Sequence, residues 1–262
     1  MGSMYTDKLL ANNLLGITGK DDEALNKLFK EERKFSLIVY KEIEAFGIKG
    51  NFDYEHLKKI HKELFKRVYS IAGQDRVDLG FKNISFGKVA PDGELCTFQD
   101  GKTLKESAKT IFNDLKKDNY LKDLNFDEFT NRGAEFFIKL NTLHPFIEGN
   151  GRTQRLFMTQ LSKEAGYNLS FENVSDNDMA LASSFAMFGN KRQFKEMFKA
   201  CCSPLDKEQS KEQDTTTNNI SQNNTKTQTT SLISQRLAAC KEQQNSIKQD
   251  KENKNKSRGM RR

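Results

Sequence analysis

The spacing of apolar residues predicts a mainly helical chain. Between about residues 22 and 200, apolar positions recur at intervals of three and four, which is the period of an α-helix with one buried face. Three amphipathic helices stand out in this region. Their apolar positions are Leu57, Ile60, Leu64 and Ile71 in the first, Leu104, Ala108, Ile111 and Leu115 in the second, and Phe126, Phe129, Phe136, Phe137 and Leu140 in the third.

The helical period is interrupted between residues 76 and 99. Apolar and polar residues tend to alternate there on both sides of Pro91-Asp92-Gly93, a segment with the residue types of a tight turn. The apolar positions are Val77, Leu79, Ile84, Phe86 and Val89 before the turn and Leu95 to Phe98 after it. The pattern predicts a short β-hairpin, or flap, between helices.

The character of the chain changes after Pro204. Residues 205–262 contain no aromatic residue, and 28 of these 58 are Gln, Asn, Ser or Thr, so the segment cannot bury enough apolar surface to offset the entropy of ordering. We expect a disordered tail, with a short stretch at 231–249 that forms either a transient helix or a helix on a partner. Residues 1–4 are interpreted as an expression scar, which leaves 5–204 as the folded domain.

The charge is concentrated in that tail. The whole chain has a net charge of +7, and residues 205–262 contribute +5 of it from 12 Lys and Arg against 7 Asp and Glu. The domain itself is close to neutral, which argues against a DNA-binding face and a specific nucleic-acid partner. Since no stretch reaches the roughly 18 apolar residues of a membrane span, and no signal-peptide pattern opens the chain, we expect no membrane association and a cytoplasmic location.

The cysteines and two of the histidines predict no metal or disulfide chemistry. The chain has four cysteines and three histidines, without a Cys-x-x-Cys pair or a His-rich spacing, so neither a zinc site nor a disulfide framework is indicated. His56 and His61 are five residues apart on a predicted helix, about 140° around its axis, and do not share a ligand face. We expect structural or surface roles for both.

The candidate chemistry lies in residues 144–155, which read His-Pro-Phe-Ile-Glu-Gly-Asn-Gly-Arg-Thr-Gln-Arg. Because a residue before proline avoids helical geometry, the preceding helix should end at His144 and present its imidazole at a helix–loop junction. Gly149, Asn150 and Gly151 then open the next helix near Gly151. Such residues leave backbone amides uncovered at the positive end of a helix, where anions bind.

The charges around this helix start also indicate a phosphate ligand. Arg152 and Arg155 lie in the first turn, where cations oppose the helix dipole unless an anion compensates them. Glu148 would repel that anion, unless it holds Mg²⁺ bridging phosphate oxygens, and His144 remains as a titratable base. Each feature alone has a plainer explanation, such as a solvated histidine, an Asn-Gly turn or a surface charge cluster. These plainer explanations do not account for the occurrence of all the features within one segment of twelve residues.

The segment resembles the signature of the Fic family, HPFx[DE]GNGRxxR, and meets every specified position from His144 to Arg155. The resemblance extends to Asn141, to the Ala72-Gly73-Gln74 turn and to Arg76, and covers about residues 5–203. It implies an α-helical Fic fold that transfers AMP from ATP to a hydroxyl side chain of a target protein.

The same resemblance implies roles for the motif residues. His144 would deprotonate the target hydroxyl, and Glu148 would orient Mg²⁺. The remaining members would bind the nucleotide: Gly149, Asn150 and Gly151 as an anion hole, with Asn150 contacting phosphate, and Arg152 and Arg155 on the β- and γ-phosphates. The flap, at about residues 82–98, would clamp an extended segment of the target. Lys82 and Asn83 are expected near the nucleotide, although a surface hairpin with a solvated lysine explains them equally well.

Two differences from other branches of the resembled family bear on activity and regulation. In the Doc branch, a kinase, lysine replaces the second glycine of the anion hole, so Gly151 favours AMP transfer, while transfer of UMP or phosphocholine stays open. No in-chain match to the inhibitory pattern [ST]xxxE[GN] is found, which implies a separate small antitoxin whose Glu pairs with Arg155. The chain is then a toxin, or an effector delivered into another cell, and the alternative is a nucleotide-binding interaction module.

Overall fold

The structure is a computed structural model that describes residues 2–19 and 21–205. In this part of the chain there are eight α-helices, and none of them combines the length and apolar character that a membrane crossing needs. They are α1 (Gly2–Ala11), α2 (Asp22–Phe46), α3 (Tyr54–Phe65), α4 (Leu104–Lys117), α5 (Phe126–Leu143), α6 (Asn150–Glu164), α7 (Asp176–Met187) and α8 (Arg192–Ala200). The mainly helical prediction is confirmed, whereas the predicted tail and its 231–249 helix lie outside the described residues.

The three helices predicted from the apolar spacing are present as α3, α4 and α5. One assignment was wrong: α3 ends at Phe65, and Ile71 reaches the core from a series of turns that follows the helix. At the other end of the chain, α1 begins at Gly2 and so runs through the residues interpreted as an expression scar. That interpretation stays a prediction.

Helix α5 lies at the centre of the fold and packs against α4, α6 and α8. It starts with a capping box, in which the Asn125 side chain accepts a hydrogen bond from the Glu128 amide and the Glu128 carboxylate accepts one from the Asn125 amide. Phenylalanine fills much of the surrounding core. The fully buried rings are Phe65, Phe129, Phe146, Phe157, Phe194 and Phe198.

The flap is an antiparallel hairpin of β1 (Gly87–Val89) and β2 (Leu95–Thr97), with Lys88 opposite Cys96. Its turn is closed by hydrogen bonds between Ala90 and the residues Gly93 and Glu94, and Gly93 has the positive φ of 84° that such a turn requires. The strands are shorter than the alternation indicated, because residues 77–80 and 82–83 form turns and residues 84–86 lie outside the strand. A second pair, β3 (Tyr167–Leu169) with β4 (Cys202–Pro204), was not predicted. Strands of three residues are too short to show a period.

Candidate active site

His144 occupies the position directly after the last residue of α5. Its φ of 43° and ψ of 61° place it in the left-handed region, and its amide still donates to the Leu140 carbonyl at 3.1 Å. Pro145 disfavours a further helical residue here, so the predicted end of the helix is confirmed. The chain therefore turns sharply at His144 and leads into the loop of residues 145–149.

Asn150 fixes the shape of this loop. Its side-chain oxygen accepts from the Phe146 amide at 2.9 Å, and its side-chain nitrogen donates to the Phe146 carbonyl at 2.6 Å. Both polar atoms of its side chain are therefore already paired within a buried loop, and the expected contact between Asn150 and a phosphate stays a prediction. Its backbone amide, at the start of α6, stays near the predicted anion hole.

His61 supports the loop of residues 145–149 through its side chain. Its Nε2 donates to the Glu148 carbonyl at 3.1 Å, its Nδ1 accepts from the Gly73 amide at 2.8 Å, and its ring stacks on Phe146 at 3.9 Å. Burial lowers the pKa of His61 to about 3, so the ring is neutral. His56 likewise donates to a backbone carbonyl, that of Ile48, at 2.8 Å. The predicted structural role is confirmed for both histidines.

The motif residues line one face of a cavity of 670 Å³. The opposite wall comes from α2 and from the segment after β3, and Lys88 reaches in from the flap. The motif residues that line it are His144, Glu148, Gly149, Asn150, Gly151, Arg152 and Arg155, and the facing residues include Glu32, Ser36, Tyr40, Phe171 and Asp176. The structure thus brings all seven predicted motif residues together around one space.

The imidazole of His144 is held between aromatic rings. Phe98 stacks on it with centroids 3.6 Å apart and planes 15° apart, and Phe86 lies at 5.5 Å. Neither ring nitrogen makes a hydrogen bond of good geometry among the described residues, although the Asn141 backbone favours the protonated form slightly. Burial first, then the charges of Lys88 and Arg76, hold the pKa of His144 well below its usual value. The ring is therefore neutral and able to accept a proton.

Glu148 presents a carboxylate to the cavity. One oxygen accepts from the Gly149 amide at 2.9 Å, and the other lies 4.0 Å from the Lys88 ammonium. The described residues contain no group of three or more acidic, His or Cys side chains that could enclose a metal. Mg²⁺ commonly uses one or two carboxylates together with phosphate oxygens and waters, so a single carboxylate beside a nucleotide site fits that ion.

The two motif arginines differ in their partners. Arg152 donates to the buried carboxylate of Glu32 at 2.5 and 3.3 Å and to Ser36 at 2.5 Å. Burial raises the pKa of Glu32, and the charge of Arg152 opposes that rise. Arg155 interacts with the Tyr40 hydroxyl and has a looser contact with a carboxylate, 3.6 Å from the exposed Asp176. Arg155 is therefore the more available cation for a phosphate.

Lys82 and Asn83 lie away from the lining of this cavity, and their expected place near the nucleotide stays a prediction. Both are exposed, and neither is among the residues lining the cavity. The backbone of Lys82 lies against Gly101, where an added Cβ would come within 2.6 Å of the Lys82 carbonyl oxygen. The flap lysine that reaches the cavity is Lys88, in β1.

Sequence reasoning also missed Glu32, Ser36 and Tyr40 of α2. They recur at a spacing of four along one face of this helix, as the sequence shows. In the sequence, this face of α2 resembles an ordinary, partly polar helix surface. No signal links it to the motif at residues 144–155, more than a hundred residues later.

This chain is similar to a known protein family and to several known proteins. Residues 51–162 match the model of the Fic/DOC family. The chain is 37% identical over 179 residues to the protein adenylyltransferase VbhT of Bartonella schoenbuchensis, which covers 68% of this chain and 34% of VbhT. It is 30% identical over 136 residues to the probable protein adenylyltransferase Fic of Escherichia coli, which covers 52% of this chain and 62% of that protein.

Among solved structures, the fold resembles BepC of Bartonella tribocorum, a VirB-translocated effector protein with bound AMPPNP. The TM-score is 0.63 at 29% identity, over 74% of this chain and 92% of that one. A similar Fic domain of Bartonella quintana, with bound ADP, has a TM-score of 0.63 at 28% identity and covers 74% of this chain and 90% of that one. This chain spans about a third or less of the length of the first two curated relatives, 34% and 25%.

Gly149 and Gly151 provide a matched test of the anion site. A Cβ at Gly149 would lie 2.3 Å from the Phe65 ring at a φ of 78°, so Gly149→Ala should lower the free energy of unfolding by about 1–3 kcal/mol. A Cβ at Gly151 would meet only the Arg155 guanidinium at 3.8 Å. We expect Gly151→Ala to leave stability within about 0.5 kcal/mol and to weaken AMPPNP binding roughly tenfold, by filling the space in front of the amides.

Thermal unfolding and calorimetric titration with AMPPNP measure the two effects. Unchanged affinity in Gly151→Ala would place the phosphates elsewhere in the cavity.

Proposed function

Because the chain belongs to the Fic/DOC family through residues 51–162, we propose that it is a protein adenylyltransferase. It transfers AMP from ATP to a Ser, Thr or Tyr hydroxyl of a target protein. The observation that carries this proposal is the cavity in which a neutral His144 lies beside the start of α6, with Glu148 and Arg155 on the same wall. The names of VbhT and Fic, and the AMPPNP bound to BepC, support it.

The chemical step needs one base and one place for the leaving group. The target oxygen attacks the α-phosphorus of ATP, and His144 accepts the hydroxyl proton as the new P–O bond forms. The bond between the α-phosphorus and its bridging oxygen breaks, and pyrophosphate leaves. The neutral imidazole is ready for this role because its own pKa is depressed.

The start of α6 is placed to bind the phosphates. The first amides of a helix have no partner within the helix, and Gly151 keeps the space in front of them open. Arg155 reaches the β- and γ-phosphates more directly than Arg152, whose guanidinium is paired with Glu32. Arg152 then lines the rim of the same pocket and contributes its charge.

Glu148 would hold Mg²⁺ together with phosphate oxygens of the nucleotide. When bound, the ion supplies charge neutralisation for the leaving pyrophosphate. Lys88 lies 4.0 Å from the same carboxylate and brings a second positive charge to this side of the cavity.

The flap provides an edge for the target. Hydrogen bonds join Ala90 to Glu94 and Phe98 to Phe86, so by the antiparallel alternation the N–H and C=O of Val89 face away from β2. The exposed side chain of Val89 adds an apolar contact. We propose that an extended segment of the target pairs with this edge and so places its hydroxyl opposite His144.

The first experiment uses the full chain, Mg²⁺ and ATP labelled at either the α- or the γ-phosphate, in cell lysate. Label should pass to protein from the α position only, and His144→Ala should lower the rate by about 100- to 10,000-fold. Because the pKa of His144 is lowered, the acid limb of kcat/KM against pH should lie below 6.5.

Val89→Pro should reduce labelling of the target while AMPPNP binding is retained.

Other outcomes decide between the alternatives. Label from the γ-phosphate would make the protein a kinase. Labelling by UTP in place of ATP would mean another donor, and AMPPNP binding without any transfer would indicate a nucleotide-binding interaction module.

Regulation is proposed to come from a small antitoxin whose Glu pairs with Arg155. The long contact between Arg155 and the exposed Asp176 is one that an incoming carboxylate can replace. The purified chain alone should therefore be active. An inactive chain that gains activity at least tenfold on Glu32→Gln would contradict this, since the brake would then be the in-chain carboxylate on Arg152.

Delivery into another cell is proposed from the description of BepC as a VirB-translocated effector. In this proposal the protein is made in the cytoplasm, acts as an effector or toxin, and uses the basic residues 205–262 as its transfer signal. Deleting residues 206–262 should abolish transfer between cells while ATP-dependent labelling in vitro persists. Unchanged transfer of the shortened chain would rule this signal out.

A further inference from the structure

Arg76 is a buried arginine next to the proposed base. The mechanism proposed above gives it no role. It lies in the turns between α3 and the flap, and its side chain is fully buried. Among the described residues no carboxylate forms a salt bridge with it, which is unusual for a buried charge. Its hydrogen bonds go to backbone carbonyls instead.

Two carbonyls that accept from its side chain, and a third that accepts from its backbone amide, belong to three consecutive residues around the proposed base. The Arg76 Nε donates to the His144 carbonyl at 2.9 Å, and one of its terminal nitrogens donates to the Leu143 carbonyl at 3.3 Å. The backbone amide of Arg76 donates to the Pro145 carbonyl at 2.8 Å. Helix ends leave such carbonyls unpaired, so Arg76 completes the end of α5 and clamps the left-handed turn at His144.

The same guanidinium also holds the flap against the base. Its terminal nitrogen donates to the Gln99 carbonyl at 2.8 Å, and Gln99 in turn donates its amide to the Thr142 carbonyl at 2.9 Å. Gln99 follows Phe98, the ring that stacks on the His144 imidazole. One side chain therefore fixes both the backbone that carries the imidazole and the ring that covers it.

We propose that Arg76 is a positioning residue for the transfer reaction, which sets the direction of the His144 imidazole through the carbonyls of residues 143–145 and 99. The claim rests on the proposed function of His144 as the base. The planar fork of arginine is essential to this role, because it donates in several directions at once, whereas the ammonium of lysine is a point charge. The positive charge of Arg76 acts in the same direction as burial and Lys88, which keep the ring neutral.

The test compares Arg76→Lys with Tyr167→Phe in the full chain. Tyr167→Phe removes a partly buried hydrogen bond to the Leu124 carbonyl, beside the other end of α5, and so controls for a general loss of stability. We expect Arg76→Lys to lower kcat by about 100-fold, with KM for ATP within about threefold, because misplacing a reacting group by about 1 Å has that effect. Tyr167→Phe should leave both constants unchanged.

A spectroscopic reading separates this claim from the activity itself. The chain has three histidines, so the ring signals in an NMR spectrum can be assigned with His144→Ala. The His144 signal should carry a ring-current shift from Phe98 and lose it in Arg76→Lys, while the His56 and His61 signals stay in place. This reading needs no transfer, so an inactive wild-type chain would refute the adenylyltransferase proposal alone.

Three results would contradict the positioning role of Arg76. A folded Arg76→Lys chain with an unchanged His144 signal, or with unchanged kcat in an active enzyme, would overturn the positioning role. So would an Arg76→Lys chain that does not fold, since Arg76 would then act on the fold and not on the base.

Discussion

The site depends on one residue held in an unfavourable backbone conformation. A left-handed residue other than glycine costs about 1–2 kcal/mol, and His144 adopts that conformation at the end of α5. Pro145 prevents the helix from continuing, and the amide of His144 still completes the last turn of the helix through Leu140. Without this sharp exit, the imidazole would follow the helix axis, and the loop that begins α6 would not face it.

The polar side chains around the adjoining loop and the start of α6 are largely buried and paired. Asn150 and His61 bind backbone atoms of the loop, and the carboxylate of Glu32 receives the guanidinium of Arg152. Buried polar groups of this kind are costly when unpaired and rigid when paired. The groups that would meet a nucleotide are therefore set before it arrives, which is the condition under which dipoles and charges stabilise a transition state efficiently.

Much of the fold and of the motif could be predicted because the signals are local. The apolar period identified α3, α4 and α5, and the motif residues from His144 to Arg155 occupy one helix end, one loop and one helix start, so their spacing alone brings them together. The site residues of α2 could not be predicted in the same way. Glu32 lies 120 residues before Arg152, and their contact exists only through the packing of α2 against α6.

The flap shows a second limit of local patterns. Turn chemistry at Pro91-Asp92-Gly93 located the hairpin, but strands of three residues give too little alternation to fix which lysine faces inward. Lys88 was therefore not identified as the flap lysine that lines the cavity. The role of the Asn150 side chain was missed for a related reason, since its bonds to Phe146 reach back four residues within an irregular loop.

The contribution of α2 also determines where this domain can be divided. The family match begins at residue 51, yet Glu32 and Ser36, which lie before it, supply the oxygens around the Arg152 guanidinium. A fragment cut at the start of the match would leave the largely buried Arg152 guanidinium without Glu32 and Ser36, with the longer 3.5 Å contact to Glu148 in their place, and would open one wall of the cavity to solvent. A fragment that keeps the site intact therefore includes α2, and this helix is as much a part of the candidate site as the motif.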